Sequence, residues 1–260
     1  MRIVIAGGSG LLGTFLVDAL SREGHEVVVL TRGAARRDPD SSTRFVTWTP
    51  DGSIGPWAAQ IDGALAVVNL AGESIGEGRW TAARKASLRD SRLLATRSLV
   101  GAIARASRPP EVLVSGSAVG YYGPHGAELV TEDTPAGSDF LGQLGAAWEA
   151  EANAAAPHTR VVCIRTGIVL ALEGGALPRM LPPFRFGVGG PVGSGRQYWP
   201  WIQVGDWVDL VRFAIRTPHA IGPMNATAPA PVTNREFARA LGRVLHRPSL
   251  MPAPGFALKL

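Results

Sequence analysis

The sequence predicts an α/β fold, a doubly wound parallel sheet followed by a smaller C-terminal lobe. Three observations carry that expectation. Short apolar runs rich in Val and Ile recur through residues 1–165, longer segments of helical periodicity separate them, and the first run empties into a glycine-rich bend. A strand that is apolar nearly throughout needs cover on both faces, and the alternating helices supply it.

Ile3–Ala6 is the first strand, and Leu11, Leu12, Phe15, Leu16, Ala19 and Leu20 then repeat at helical spacing. Further strands follow at Val27–Leu30, Ala64–Leu70, Val112–Val114 and Val161–Ile164, with helices within Trp80–Ala106 and Gly142–Ala155. Past about Thr166 the texture changes. Gly and Pro become frequent from Gly174 to Gly195, with Phe184, Phe186, Tyr198, Trp199 and Trp201 close by. That composition suits a lid or pocket wall better than a sheet core. A helix at Gly205–Ile215, a strand near Met224–Ala226 and a helix at Asn234–Leu245 complete the reading. The expected division is 1–165 for the sheet domain and 166–260 for the smaller lobe, which partly returns to the core. A fresh apolar run opens in PAPGFALKL as the sequence stops, so the lobe is expected to be truncated at its C-terminus.

Composition narrows the function classes. Apolar residues at 46% and charged residues at 18% can bury a sizeable core and argue against disorder. The formal charge is +5, but the arginines are scattered apart from Arg32, Arg36, Arg37 and Arg44, which argues against a nucleic-acid partner. Cys163 stands alone within an apolar run and reads as a buried strand residue, with no intrachain disulfide. No apolar run approaches the roughly 20 residues of a membrane span, and no leader pattern precedes the first strand, so a cytoplasmic location is expected. His25, His125, His158, His219 and His246 lack metal-ligand spacing, and no metal is expected.

The bend Ala6-Gly7-Gly8-Ser9-Gly10-Leu11-Leu12-Gly13 joins the first strand to the first helix. Gly7 can turn the chain where a side chain would clash. Gly10 lets backbone approach a pyrophosphate, and Gly13 lets the helix pack close to the sheet. The helix start then offers free N–H groups and partial positive charge to the phosphates, so the motif reads as the dinucleotide turn of a Rossmann-type fold. At the end of the second strand, Val29-Leu30-Thr31-Arg32-Gly33 contains no acid to bind a ribose 2′-hydroxyl. Arg32 can instead fork onto a 2′-phosphate, helped by the Thr31 hydroxyl, with Arg36 a second contact, and the cofactor expected is NADP(H).

With these motifs the chain resembles the extended-type short-chain dehydrogenase/reductases and, more narrowly, the SDR39U1-like epimerase-family group. The resemblance spans nearly the whole chain. It rests also on Val68-Asn69-Leu70-Ala71-Gly72-Glu73, Arg89-Asp90-Ser91-Arg92, the run from Ser117 through Tyr121-Tyr122-Gly123, Asp139-Phe140-Leu141 ahead of Trp148-Glu149, Arg165-Thr166-Gly167-Ile168-Val169-Leu170, and Gly189-Gly190-Pro191 to Trp201-Ile202. It implies that Asn69, Leu70, Ala71 and Gly72 flank the cofactor at a strand end, that Arg92 faces it, and that Ser115 and Ser117 stand beside the nicotinamide.

Enzymes of this superfamily pair the hydride with a proton from a Tyr whose partner Lys lies one helical turn later. Here that pair is absent. Aligning Glu149 with the family's glutamate puts Leu141 at the Tyr position and Gly145 at the Lys position. Ser117 remains as a catalytic candidate, with Tyr121 or Tyr122 as a surrogate acid. Arg165 and Arg196 could anchor a polar substrate, and Trp199 and Trp201 could stack on it. Gln203 stands where relatives often carry His. The resemblance thus implies an NADP(H)-dependent oxidoreductase or epimerase acting on a small polar substrate, with a nucleotide sugar suggested by family analogy alone. The alternative is a non-catalytic NADP(H)-binding sensor or partner-binding protein, in cell or plastid division.

Overall fold

The computed structural model describes residues 1–37 and 42–251. The expected apolar runs form the centre of an eight-stranded sheet. In chain order the elements are β1 (Arg2–Ala6), α1 (Leu11–Arg22), β2 (Glu26–Thr31), β3 (Arg36–Arg37), β4 (Thr43–Thr47), β5 (Ala66–Asn69), α2 (Ala82–Arg105), β6 (Val112–Ala118), α3 (Phe140–Asn153) and β7 (Arg160–Thr166). The C-terminal part adds β8 (Ile168–Leu170), α4 (Ala176–Arg185), β9 (Tyr198–Trp199), β10 (Trp201–Gln203), α5 (Val204–Arg216), β11 (Gly222–Ala226), β12 (Val232–Thr233) and α6 (Asn234–Val244).

The sheet order is β11-β7-β6-β5-β1-β2-β4-β3, and every pairing is parallel except β3 with β4. The chain winds outward from β1 in one direction and from β5 in the other. The carboxyl ends of β1 and β5 therefore border the crevice where ligands enter doubly wound sheets.

Alternation along the strands sends side chains to two cores. Ile3, Ile5, Val27, Val29 and Val114 face Leu16 and Leu20 of α1 and Trp207 and Val211 of α5. Val4, Val28, Val67 and Leu113 face Ala95, Leu99 and Ile103 of α2 and Ala152 of α3. Cys163 is buried in this second core, where burial pushes its thiol up to about 12 and leaves it unreactive.

Helix starts follow local chemistry. Thr81 caps α2, Asp139 caps α3, and a Thr233–Glu236 capping box opens α6. Gln203 caps α5, its side-chain oxygen accepting from the Gly205 and Asp206 amides, so this residue has a structural task. Besides the short strands β3, β8, β9, β10 and β12, two longer elements differ from the sequence reading. β4 was not expected, and the segment expected as an irregular wall contains α4, with Pro182 and Pro183 inside the helix. The expectation of truncation falls on residues outside those described, as does the Arg36 side chain.

A candidate dinucleotide site at the carboxyl edge of the sheet

The bend after β1 is built backbone against backbone. Gly7 has φ +79°, and a Cβ on it would stand 2.6 Å from the Leu70 carbonyl carbon. A Cβ on Gly13 would lie 2.4 Å from the Gly7 oxygen and 2.5 Å from Gly8 Cα. Neither position can carry a side chain without opening the turn. The Gly10 N–H closes the turn on Gly7 O at 3.0 Å, and Gly10 then serves as the N-cap of α1 with no side-chain acceptor. Ser9 and Gly10 are exposed, while Leu11 and Leu12 are partly so. The first-turn amides thus have no capping side chain among the described residues. These residues fit a dinucleotide.

At the end of β2 the Gly33 N–H donates to Thr31 Oγ1 at 3.1 Å, and Thr47 Oγ1 donates to Gly33 O at 2.9 Å. Arg32 lies exposed between these fixed points, with no hydrogen bond or ion pair among the described residues. An unpartnered guanidinium on a tied-down bend is free to take a phosphate.

The end of β5 is shaped from within. Asn69 is fully buried. Its Nδ2 donates to Thr96 Oγ1 at 2.8 Å, and its Oδ1 accepts from the Ala71 amide at 3.2 Å. Trp148 Nε1 reaches the same threonine oxygen at 3.0 Å. Asn69 therefore fixes the bend at Leu70-Ala71-Gly72 from within. Arg92 was expected to face the cofactor, but its fork is committed. Nη1 donates to Leu88 O, Nη2 donates to Glu73 O, and the guanidinium lies over the Trp148 ring at 5.2 Å. Burial pulls its pKa down. It braces the loop after Gly72, as does Arg84, which the sequence reading did not single out and which pairs with Glu73 and donates to Ser74 O.

The remaining catalytic candidates close into one buried cluster around Glu149. Ser117 Oγ donates to Glu149 Oε1 at 2.6 Å. Arg165 makes a two-pronged pair with the same carboxylate, at 2.8 and 2.9 Å, and its Nη1 also donates to the Tyr122 hydroxyl and to Glu132 O. Tyr122 passes its own proton to Asn225 Oδ1 at 2.6 Å. Arg165 is 3% exposed and each of its three side-chain nitrogens has a partner, so where it was expected to anchor a substrate it stands here as a buried counter-ion to Glu149. Burial alone would lower its pKa, but the bonds to Glu149 and Tyr122 carry it upward. Ser115 is fully buried, its hydroxyl 3.3 Å from Gly116 O.

Tyr121 differs from its neighbours. Its ring lies 3.6 Å from Arg165 Cζ and edge-on to Tyr122, it is partly exposed, and its hydroxyl has no partner among the described residues. Tyr121 also packs against Gly145, the position of the family's lysine. A Cβ on Gly145 would stand 3.1 Å from Tyr121 Cα and 3.2 Å from its Cβ, so a side chain there would require Tyr121 to give way by a few tenths of an ångström.

In the C-terminal part of the chain, Trp199 tilts against Phe237 at 5.0 Å in the β9–β12 corner, Trp201 is partly buried in β10, and Arg196 is exposed. Among the described residues no group of His, Cys, Asp and Glu could hold a metal, and no helix is long and apolar enough to cross a membrane.

A family model described as the NAD dependent epimerase/dehydratase family matches residues 3–226. The chain belongs to this family. The bovine epimerase family protein SDR39U1 is 42% identical over 258 residues, covering 98% of this chain and 84% of that protein. The crystal structure of human SDR39U1 (isoform 2) with NADPH superposes with a TM-score of 0.87 at 38% identity, covering 98% of this chain and 83% of that one. A structure named as a nucleoside-diphosphate sugar epimerase of Corynebacterium glutamicum gives 0.79 at 33% identity, covering 98% of this chain and 53% of that one. This family member thus has the extended short-chain dehydrogenase/reductase fold, with the glycine bend inside the matched region.

Proposed function

We propose that this chain binds NADP(H) across the carboxyl edge of its sheet and exchanges hydride with a small polar substrate of the nucleotide-sugar class. One observation carries the reading: the backbone-on-backbone packing of Gly7 and Gly13 leaves the first-turn amides of Leu11 and Leu12 without a capping side chain, with Arg32 at the next strand end unpartnered among the described residues. The backbone of Gly7 to Gly13 would hold the pyrophosphate, Thr31 and Arg32 the 2′-phosphate, and the Leu70–Gly72 bend the ribose. When bound, the cofactor supplies the hydride. Ser117, Tyr121 and Tyr122 border the reacting end. Ser117 and Tyr122 already spend their protons on Glu149 and Asn225, so Tyr121 is the residue placed to move one. Arg196, Trp199 and Trp201 would meet the substrate from the C-terminal lobe. NADPH in the human relative's structure and the sugar-nucleotide name of the bacterial one support the two ligand classes.

A second reading is favoured by the closed Ser117–Glu149–Arg165–Tyr122 cluster: a protein that holds NADP(H) without turnover. Fluorescence titration tests the first step. NADPH should bind at least about ten-fold tighter than NADH, and Arg32→Ala should erase most of that difference. Equal affinities in the unaltered protein would remove the cofactor assignment. Following NADPH oxidation with a panel of nucleotide sugars and simple carbonyls then separates the readings. Turnover slowed by Tyr121→Phe supports the first, turnover indifferent to Ser117→Ala, Tyr121→Phe and Tyr122→Phe removes the catalytic assignment, and tight binding without turnover supports the second.

A further inference from the structure

α4 reaches both walls of the cofactor crevice. At its start, a Cβ on Gly174 would stand 3.0 Å from Leu11 Cδ1, and one on Gly175 3.1 Å from Leu11 Cδ2. The segment entering α4 therefore rests on the residue that opens α1 at the glycine bend. One turn further, Arg179 Nη1 donates to Gly76 O at 3.2 Å. Gly76 belongs to the loop after β5, on the opposite side of the crevice. That loop is a firm wall, because Arg92, Arg84 and Trp80 donate to the carbonyl oxygens of Glu73, Ser74 and Ile75.

The helix is mounted differently from the wall it touches. Leu181 and Phe184 are buried beneath it, yet it is bounded by Gly175 at φ +78° and Gly187 at φ +77°, conformations natural to glycine and suited to hinges. Among the described residues the Arg179–Gly76 bond is the one hydrogen bond that joins α4 to the wall. It is exposed, so it can open and close quickly.

We infer that α4 is a hinged lid over the dinucleotide crevice, latched shut by Arg179 on the Gly76 carbonyl. The inference rests on the reading that NADP(H) occupies the glycine bend. A latch across the two walls would gate entry as well as exit. Arg179 is a positioning residue that touches the wall and not the cofactor.

That distinction sets the test. Stopped-flow fluorescence with NADPH measures association and release on the whole chain. Arg179→Ala should raise both rates by about five-fold, the loss of one modest hydrogen bond, and leave the dissociation constant within about two-fold. Arg179→Lys, which keeps a donor on a long stem, should fall between the two. The melting temperature of the ligand-free variant should stay at the wild-type value, since Arg179 is exposed. Rates that do not change overturn the latch. So does a rise in release alone with weakened affinity, which would make Arg179 a direct cofactor contact. If the unaltered protein fails to bind NADPH, the cofactor assignment fails first and takes the lid with it. NADPH binding with indifferent variants removes the lid alone.

Discussion

Glu149→Gln is the sharpest test of the buried cluster. The Glu149 carboxylate receives Arg165 Nε at 2.8 Å, Arg165 Nη2 at 2.9 Å and Ser117 Oγ at 2.6 Å. The two charged side chains are 3% and 9% exposed, so water cannot replace either partner. Glutamine keeps the shape but removes the charge, and it turns an NH2 group toward a guanidinium. Arg165 retains the Tyr122 hydroxyl and Glu132 O as neutral acceptors. The cost should therefore sit near the lower end for a broken buried pair, about 3 kcal/mol. For a chain of this size that lowers the melting midpoint by roughly 6–12 °C. Urea unfolding at neutral pH, followed by both circular dichroism and tryptophan fluorescence, reads the loss directly, and coincident curves license a two-state treatment. The paired change Glu149→Leu with Arg165→Met should destabilise less than Glu149→Gln alone, because no charge is then left buried. A loss below about 1 kcal/mol, or a pair worse than the single, would refute the reasoning.

Gly13→Ala tests the bend. Its methyl would fall 2.4 Å from Gly7 O, so the turn must open, and NADPH affinity should drop by more than about ten-fold while the protein stays folded; unchanged affinity by calorimetry contradicts the placement of the pyrophosphate. Tyr122 yields a pH prediction. Burial holds its phenol above the ordinary value, against the opposing bond from Arg165. A raised folded pKa means that this contribution to stability is complete below about pH 10 and is lost as pH climbs through the folded value. Tyr122→Phe should cost about 1–2 kcal/mol at neutral pH through the lost Asn225 and Arg165 bonds, and the gap to wild type should narrow above about pH 10. A gap that widens there, measured by urea unfolding, contradicts the assignment.

What could be read from the sequence followed from how local each constraint is. The strands β1, β2, β5, β6 and β7 are covered on both faces, so their composition alone betrays them. The glycine bend was legible because backbone contact with Leu70 and Gly8 permits no other residue. β4 was not, since Thr43-Arg44-Phe45-Val46-Thr47 lies near the sheet edge and carries little continuous apolar signal. α4 was hidden by Pro182 and Pro183, which argue against a helix interior. The Glu149–Arg165 pair joins α3 to β7, and no spacing rule connects them. A signal did exist: arginine inside Arg160–Thr166, an otherwise apolar run, requires a buried acid somewhere in the fold.

The two ends of the crevice are prepared for different partners. At the glycine bend, uncapped amides and an Arg32 without a partner among the described residues leave positive potential for an anion to complete. At the β6–β7 end the opposite holds. Glu149 cancels Arg165, Asn225 satisfies Tyr122, and Ser117 is tied to the same carboxylate. A ligand arriving above this cluster meets a paired Glu149–Arg165 floor beside the Tyr121 hydroxyl, which has no partner among the described residues. Charge on a substrate would have to be matched from the C-terminal lobe, where Arg196 is exposed and its guanidinium carries no bond among the described residues.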